Sequence, residues 1–122
     1  LGQSTPVGTK TVPVVEDEAL LRFDIVAFFE ERDWRVFEAG NAEEAIALLD
    51  RYGEIRVVLT DVWMPGDMDG LKLRGRFPPT LLSVVSGHAP VARQALPARA
   101  TFLPKPFDLH QVLRQIDRSG AA

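Results

Sequence analysis

Residues 56–61 read RVVLTD, an apolar β-branched run that ends on a carboxylate. Such a run, bounded by polar residues, reads as a strand that leads straight into Asp61. Outward from it, strand-like and helix-like segments alternate along the chain. Val12–Val15 is a short β-branched run, and residues 18–32 carry Leu20, Leu21, Ile25, Phe28 and Phe29 as a helical stripe. Arg35–Ala39 reads as a second strand. Asn41 and Glu44 then have the spacing of an N-cap and its capping-box partner. Ala42, Ala45, Ile46 and Leu49 follow at i, i+3, i+4 and i+7, one face of a helix.

Beyond Asp61, Leu81–Val85 and Thr101–Leu103 read as strands. Asp108 can cap a last helix whose face is Leu109, Val112, Leu113 and Ile116, with Gly120 past its end. Alternating strands and helices imply a parallel sheet covered on both faces. In such sheets ligands gather outside the carboxyl ends of the strands, so chemistry is expected there.

The 122 residues suit one domain, and 46% hydrophobic content is enough for a core without disulfides or a structural metal. Residues 1–10, LGQSTPVGTK, read as a flexible lead-in to a domain over 11–120. The first residue is Leu rather than Met. With no cysteine, disulfides, thiolate metal sites and cysteine nucleophiles are excluded. A net charge of −3 argues against direct nucleic-acid binding. No apolar run approaches the ~20 residues of a membrane span, and no secretory leader is evident. A cytoplasmic location is the expectation.

Four strand ends carry polar residues: Glu16 and Asp17, Asp61, Ser86, and Lys105. Parallel strands bring them to one edge. Two carboxylates ~5 Å apart repel by roughly 3 kcal/mol at an effective dielectric of ~20. A hard divalent cation with oxygen ligands relieves that, and Mg²⁺ suits an open, water-sharing site. Lys105 offers a compact positive charge and Ser86 a hydroxyl donor to phosphate oxygens. Carboxylate, metal, lysine and hydroxyl together make a phosphoryl-transfer centre, a chemistry that needs chiefly positioning and charge neutralisation.

VVEDE (14–18), LTDVWMPGDMDG (59–70), VVSGH (84–88) and FLPKPF (102–107) resemble, in order, the signature segments of response-regulator receiver domains. The resemblance covers nearly all of the chain after residue 11. It implies an α/β fold, the flavodoxin-like (βα)₅ three-layer sandwich with parallel strand order 2-1-3-4-5. It also implies roles. Asp61 matches the phosphoacceptor, Glu16 and Asp17 the acidic pair that helps hold Mg²⁺, and the Trp63 backbone carbonyl a further metal ligand. Ser86 matches the switch hydroxyl, Lys105 the phosphate-binding lysine, and Phe102 the aromatic switch. The Lys105–Pro106 bond matches one that is usually cis in the family. The implied partner is a sensor histidine kinase or a histidine phosphotransfer protein. The implied activity is that of a switch that catalyses only its own phosphorylation and dephosphorylation.

The chain departs from the family pattern in three places. Pro13 lies in the central first strand, so either its missing N–H faces an unpaired side or the strand starts at Val14. Only seven residues lie between Gly70 and Pro78, and six between Pro90 and Pro97. Shortened third and fourth helices are therefore expected. His88 and His110 lack metal-ligand spacing. Trp34 is expected to anchor the end of the first helix, and the Trp63 indole to border the path of the attacking water.

The final helix ends close to the last residue, so the expected output is a protein contact or onward phosphotransfer. A receiver within a hybrid histidine kinase is the alternative. Haloacid-dehalogenase-type hydrolases need an aspartate two residues after the nucleophile, where this chain has Trp63. A pure interaction module would not need all five chemical side chains.

Overall fold

The computed structural model describes residues 10–61, 80–88, 96 and 98–120. Trp63, the third-helix segment between Gly70 and Pro78, and residues 91–95 of the fourth lie outside the described residues, as does the lead-in up to residue 9.

Five strands, β1 (Thr11–Val15), β2 (Arg35–Ala39), β3 (Val57–Asp61), β4 (Leu82–Gly87) and β5 (Ala100–Pro104), form one sheet in the order β2-β1-β3-β4-β5. Every pairing is parallel. Helices α1 (Ala19–Glu30), α2 (Ala42–Arg51) and α3 (Leu109–Ser119) cover it. This is the flavodoxin-like architecture expected from the sequence.

Strand alternation sorts the core into two layers. Val12, Val14, Val57, Leu59, Leu82 and Val84 pack on one face with Ile25 and Phe29 of α1 and Val112 and Ile116 of α3. Val15 and Val58 pack on the other face with Ala45 and Ile46 of α2. The chain steps from β1 outward to β2 and then back across β1 to β3. Right-handed crossovers therefore place α1 and α2 on opposite faces. The direction of winding reverses between β1 and β3, and the cleft above that point is where this architecture binds ligands.

Pro13 is accommodated by alternation. The Lys10 carbonyl accepts from Arg35 N–H, and Glu16 N–H donates to the Ala39 carbonyl. Even-numbered residues of β1 thus address β2, and odd-numbered ones address β3. Pro13 turns its missing donor toward β3, where the register begins only at Val14 opposite Leu59. The strand runs from Thr11, not from Val14.

Helix ends follow the sequence signals. The Asn41 side chain accepts from Glu44 N–H at 2.9 Å, while the Glu44 carboxylate reaches back to Gly40 N–H at 2.8 Å, one residue earlier than a standard capping box. Asp108 caps α3 through His110 N–H, and Gly120 closes it at φ 74°. Trp34 is buried with its ring edge-on to Phe29, anchoring the end of α1 as expected.

Leu20 is a correction. It was expected in the buried stripe, yet it is 80% exposed. The stripe that meets the core is Leu21, Ile25, Phe28 and Phe29, and Leu20 stands one residue, about 100°, away from it. Phe23, 70% exposed, shares the outer surface.

Candidate functional site

The carboxyl edge of the sheet collects the expected polar residues. Glu16 and Asp17 follow β1, Asp61 ends β3, Ser86 is the residue before the last of β4, and Lys105 follows β5. Asp61 and Ser86 are direct partners in the β3–β4 register. Glu16, Asp61 and Ser86 are buried, whereas Asp17 is exposed at the mouth.

Lys105 organises the cluster. Its Nζ lies 3.0 Å from Glu16 Oε1 and 3.0 Å from Asp61 Oδ2. Three side chains this buried, at 6%, 3% and 9% exposure, make the ion pairs strong but costly to desolvate. The other Glu16 oxygen, Oε2, accepts from Glu18 N–H at 3.1 Å. The carboxylate therefore also serves the start of α1, where Glu18 itself makes no side-chain cap. The Lys105–Pro106 peptide is cis, as the resemblance implied.

Charge at this edge is unbalanced. Ligand oxygens of Glu16, Asp17 and Asp61 all lie within 4.8 Å of one another, and among the described residues a single ammonium, that of Lys105, bonds to them. Burial pushes the Glu16 carboxyl up, and the negative charge of Asp61 adds to it, against the lowering bonds from Lys105 and Glu18. Burial pulls the Lys105 ammonium down, but its bonds to Asp61 and Glu16 outweigh that and hold it above its ordinary value. The Lys105 shift is the response expected of an ammonium among carboxylates, whereas that of Glu16 comes chiefly from burial, with the charge of Asp61 adding to it. Three hard oxygen donors around such a deficit fit a divalent cation such as Mg²⁺.

Phe102 is half-buried in β5, beside the buried Val85, Leu96 and Ala100. It stands on the sheet face away from α3, in register with Val85, the residue before Ser86. His110 packs edge-on against Phe28 and His88 is exposed, and neither belongs to the acidic cluster. A cleft of about 240 Å³ opens beside Lys105, lined by Glu18, Leu21, His88, Pro106 and Phe107.

One residue of the site was missed by sequence reasoning. Arg22 of α1 donates from Nη1 to the Glu16 backbone carbonyl at 2.5 Å, and from Nε to Glu38 at 3.2 Å. The available signal was an arginine four residues, about one helical turn, after Glu18, the residue that follows the acidic pair.

Residues 12–117 match the family model of the response regulator receiver domain. The chain is 40% identical over 113 residues to the sensor kinase CckA of Brucella abortus (strain 2308), covering 86% of this chain but 12% of that protein. Among solved structures, the receiver domain of the hybrid histidine kinase CckA superposes with a TM-score of 0.71 at 28% identity, covering 89% of this chain and 97% of that one. The beryllofluoride-activated NtrC4 receiver domain gives 0.74 at 27%, covering 93% and 99%.

Proposed function

The chain belongs to the response regulator receiver family, and from that premise we propose that Asp61 accepts a phosphoryl group from a phosphohistidine donor. The observation that carries this reading is the Lys105 ammonium, 3.0 Å from Asp61, with Ser86 in register beside the same carboxylate. In the transfer an Asp61 oxygen bonds to phosphorus. The P–N bond breaks, its electron pair goes to the donor imidazole, and that ring takes up a proton. Lys105 is already charged and aimed at the acceptor, so it can follow the phosphoryl oxygens as the Asp61 carboxylate becomes an acyl phosphate. Ser86 donates its hydroxyl to one of them. The help from Lys105 costs little reorganisation, because the ammonium already faces the carboxylate before the reaction.

Glu16, Asp17 and Asp61 would hold Mg²⁺, and the Trp63 carbonyl would add a ligand. The ion supplies neutralising charge to the phosphoryl oxygens. Phe102 would then report the modification on the outer face of β5. The chain acts as a switch rather than a turnover enzyme, catalysing only reactions of its own Asp61. Its expected donor is a sensor histidine kinase or histidine phosphotransfer protein in the cytoplasm. The cleft beside Lys105, with exposed Leu20 and Phe23 on the adjoining helix, offers an apolar margin for such a protein. A receiver carried within a hybrid kinase uses the same chemistry and is not favoured over this reading.

The test is intact mass after incubation with a small phosphodonor, with and without Mg²⁺. Gain of one phosphoryl group in Mg²⁺ alone, mapped to Asp61, is the expected result. Gain at another residue, or none under either condition, would overturn it.

A further inference from the structure

The backbone of Glu16 is held from both sides. Its N–H donates to the Ala39 carbonyl at 3.1 Å, and its carbonyl accepts from Arg22 at 2.5 Å. The same guanidinium reaches Glu38, so one side chain of α1 ties the turn after β1 to the end of β2. Arg22 is only 25% exposed, whereas Glu38 is 56% exposed. The fork of a guanidinium holds two acceptors in fixed directions, which an ammonium cannot do. A peptide unit is planar. Fixing the Glu16 carbonyl therefore fixes the Glu16–Asp17 peptide plane, and with it the direction from which Asp17 leaves the chain.

We infer that Arg22 is a positioning residue for the acidic site, setting the Glu16–Asp17 peptide so that both carboxylates converge with Asp61 on a divalent cation. This rests on the reading of the cluster as a cation site. Arg22 itself touches neither the cation nor the phosphoryl group. Glu38 takes up its positive charge on the side away from the pocket, so the arginine can hold the loop without strongly repelling the ion.

The test separates three roles by sign. A residue that acted only through its charge would, when removed, let Mg²⁺ bind more tightly. One that only propped the fold would lower the melting temperature in EDTA and leave the dissociation constant unchanged. A positioning residue weakens Mg²⁺ binding when lost, by about tenfold on the scale of outer-shell partners at metal sites.

Titration calorimetry of MgCl₂ into the full chain, with no phosphodonor, should show that weakening in Arg22→Ala. Arg22→Lys, which keeps the charge but loses the rigid planar fork, should fall between wild type and alanine, and it remains informative should the alanine variant fail to fold. Saturating Mg²⁺ should restore phosphodonor-dependent mass gain in either variant. Unchanged or tighter binding in Arg22→Ala, or wild-type affinity in Arg22→Lys, overturns the inference alone. A wild-type protein that takes up no Mg²⁺ overturns the cation site itself and this inference with it.

Discussion

At the carboxyl edge of the sheet Lys105 meets two carboxylates. At the amino edge Arg99 meets two backbone carbonyls, those of Thr80 at 3.1 Å and Ser119 at 2.7 Å. The arginine ties the loop before β4 to the last turn of α3, where the helix dipole favours a cation. Both of these partners are dipoles, so the two contacts set no whole charge against another. The carboxyl edge sets whole charges against one another and leaves negative charge in excess. One edge binds the fold together, and the other holds a local conflict that a ligand can relieve. Conflicts of this kind are expected at functional sites rather than at structural ones.

The largest expected effect tests the conflicted edge directly. Asp61→Asn should fold and lose phosphodonor-dependent mass gain altogether, because an amide is no nucleophile toward phosphorus. A variant that still gains one phosphoryl group would move the acceptor elsewhere and remove the functional half of the comparison. Next, millimolar Mg²⁺ should raise the melting temperature. A ligand that binds only the folded state stabilises it by about 2.7 kcal/mol at one hundred times its dissociation constant. Asp17→Asn should remove most of the rise, and an equal rise in the variant would argue against an acidic pocket.

The pH dependence sharpens the same point. The Glu16 carboxyl is raised, chiefly by burial. Its favourable contribution is therefore fully present below the unfolded value and is lost as pH rises through the folded value. Metal-free protein should lose stability over that window in a way that Glu16→Gln does not. Since the cation competes with the proton, the stabilisation by Mg²⁺ should grow as pH rises through the same window. Lys105, also raised, contributes below its ordinary value and loses that contribution only as pH climbs through its higher folded one. Melting curves from acid to neutral pH, with EDTA or Mg²⁺, check the sign. A Mg²⁺ effect that shrank as pH rose would contradict it.

How far these edges could be read from the sequence depends on the range of the interactions. Local signals served well. Asn41, Asp108 and Gly120 mark helix ends through contacts within a few residues, and the apolar run into Asp61 marks β3. The strand order came from the ordered motifs, because pairing partners such as Val14 and Leu59 are far apart in the chain. For Pro13, the sequence left two outcomes open, and only the hydrogen-bond alternation of β1 decided between them. Leu20 was misplaced because a helix as apolar as α1 does not reveal which side faces the core. Arg22 and Arg99 were missed for a related reason. Both bond backbone carbonyls, which any residue supplies, so Arg99 had no side-chain pattern to announce it and Arg22 had its spacing from the acidic pair alone.

Arg99 provides the matching test at the amino edge. Arg99→Ala gives up two charge-assisted bonds to carbonyls, one of them solvent-exposed, and should cost about 1–2 kcal/mol of stability by denaturant titration. Mg²⁺ affinity should stay as in wild type. If removal of Arg99 weakened Mg²⁺ binding as much as removal of Arg22, the two edges would not be separable, and the division between binding the fold and building the site would fail.

The smallest effect concerns Ser83, the second residue of β4, whose backbone adjoins Arg99 while its side chain lies inside the sheet. It is fully buried, and its N–H donates to the Arg99 carbonyl at 2.9 Å. Its hydroxyl has no hydrogen-bond partner among the described residues. A buried hydroxyl without a partner forfeits its hydration, at a cost of about 1–3 kcal/mol. Ser83→Ala removes that cost and loses only the packing of one oxygen. The variant should therefore be as stable as wild type or more stable by up to about 1 kcal/mol, with Mg²⁺ affinity and phosphoryl gain unchanged. Since the strand backbone keeps its ladder partners Val58 and Ala100, no register change is expected to mask the result. A loss of more than about 1 kcal/mol would show that the hydroxyl is bonded in the folded molecule. Polar pairing would then extend into the middle of the sheet, and the comparison between a bound edge and a conflicted edge would need a third term.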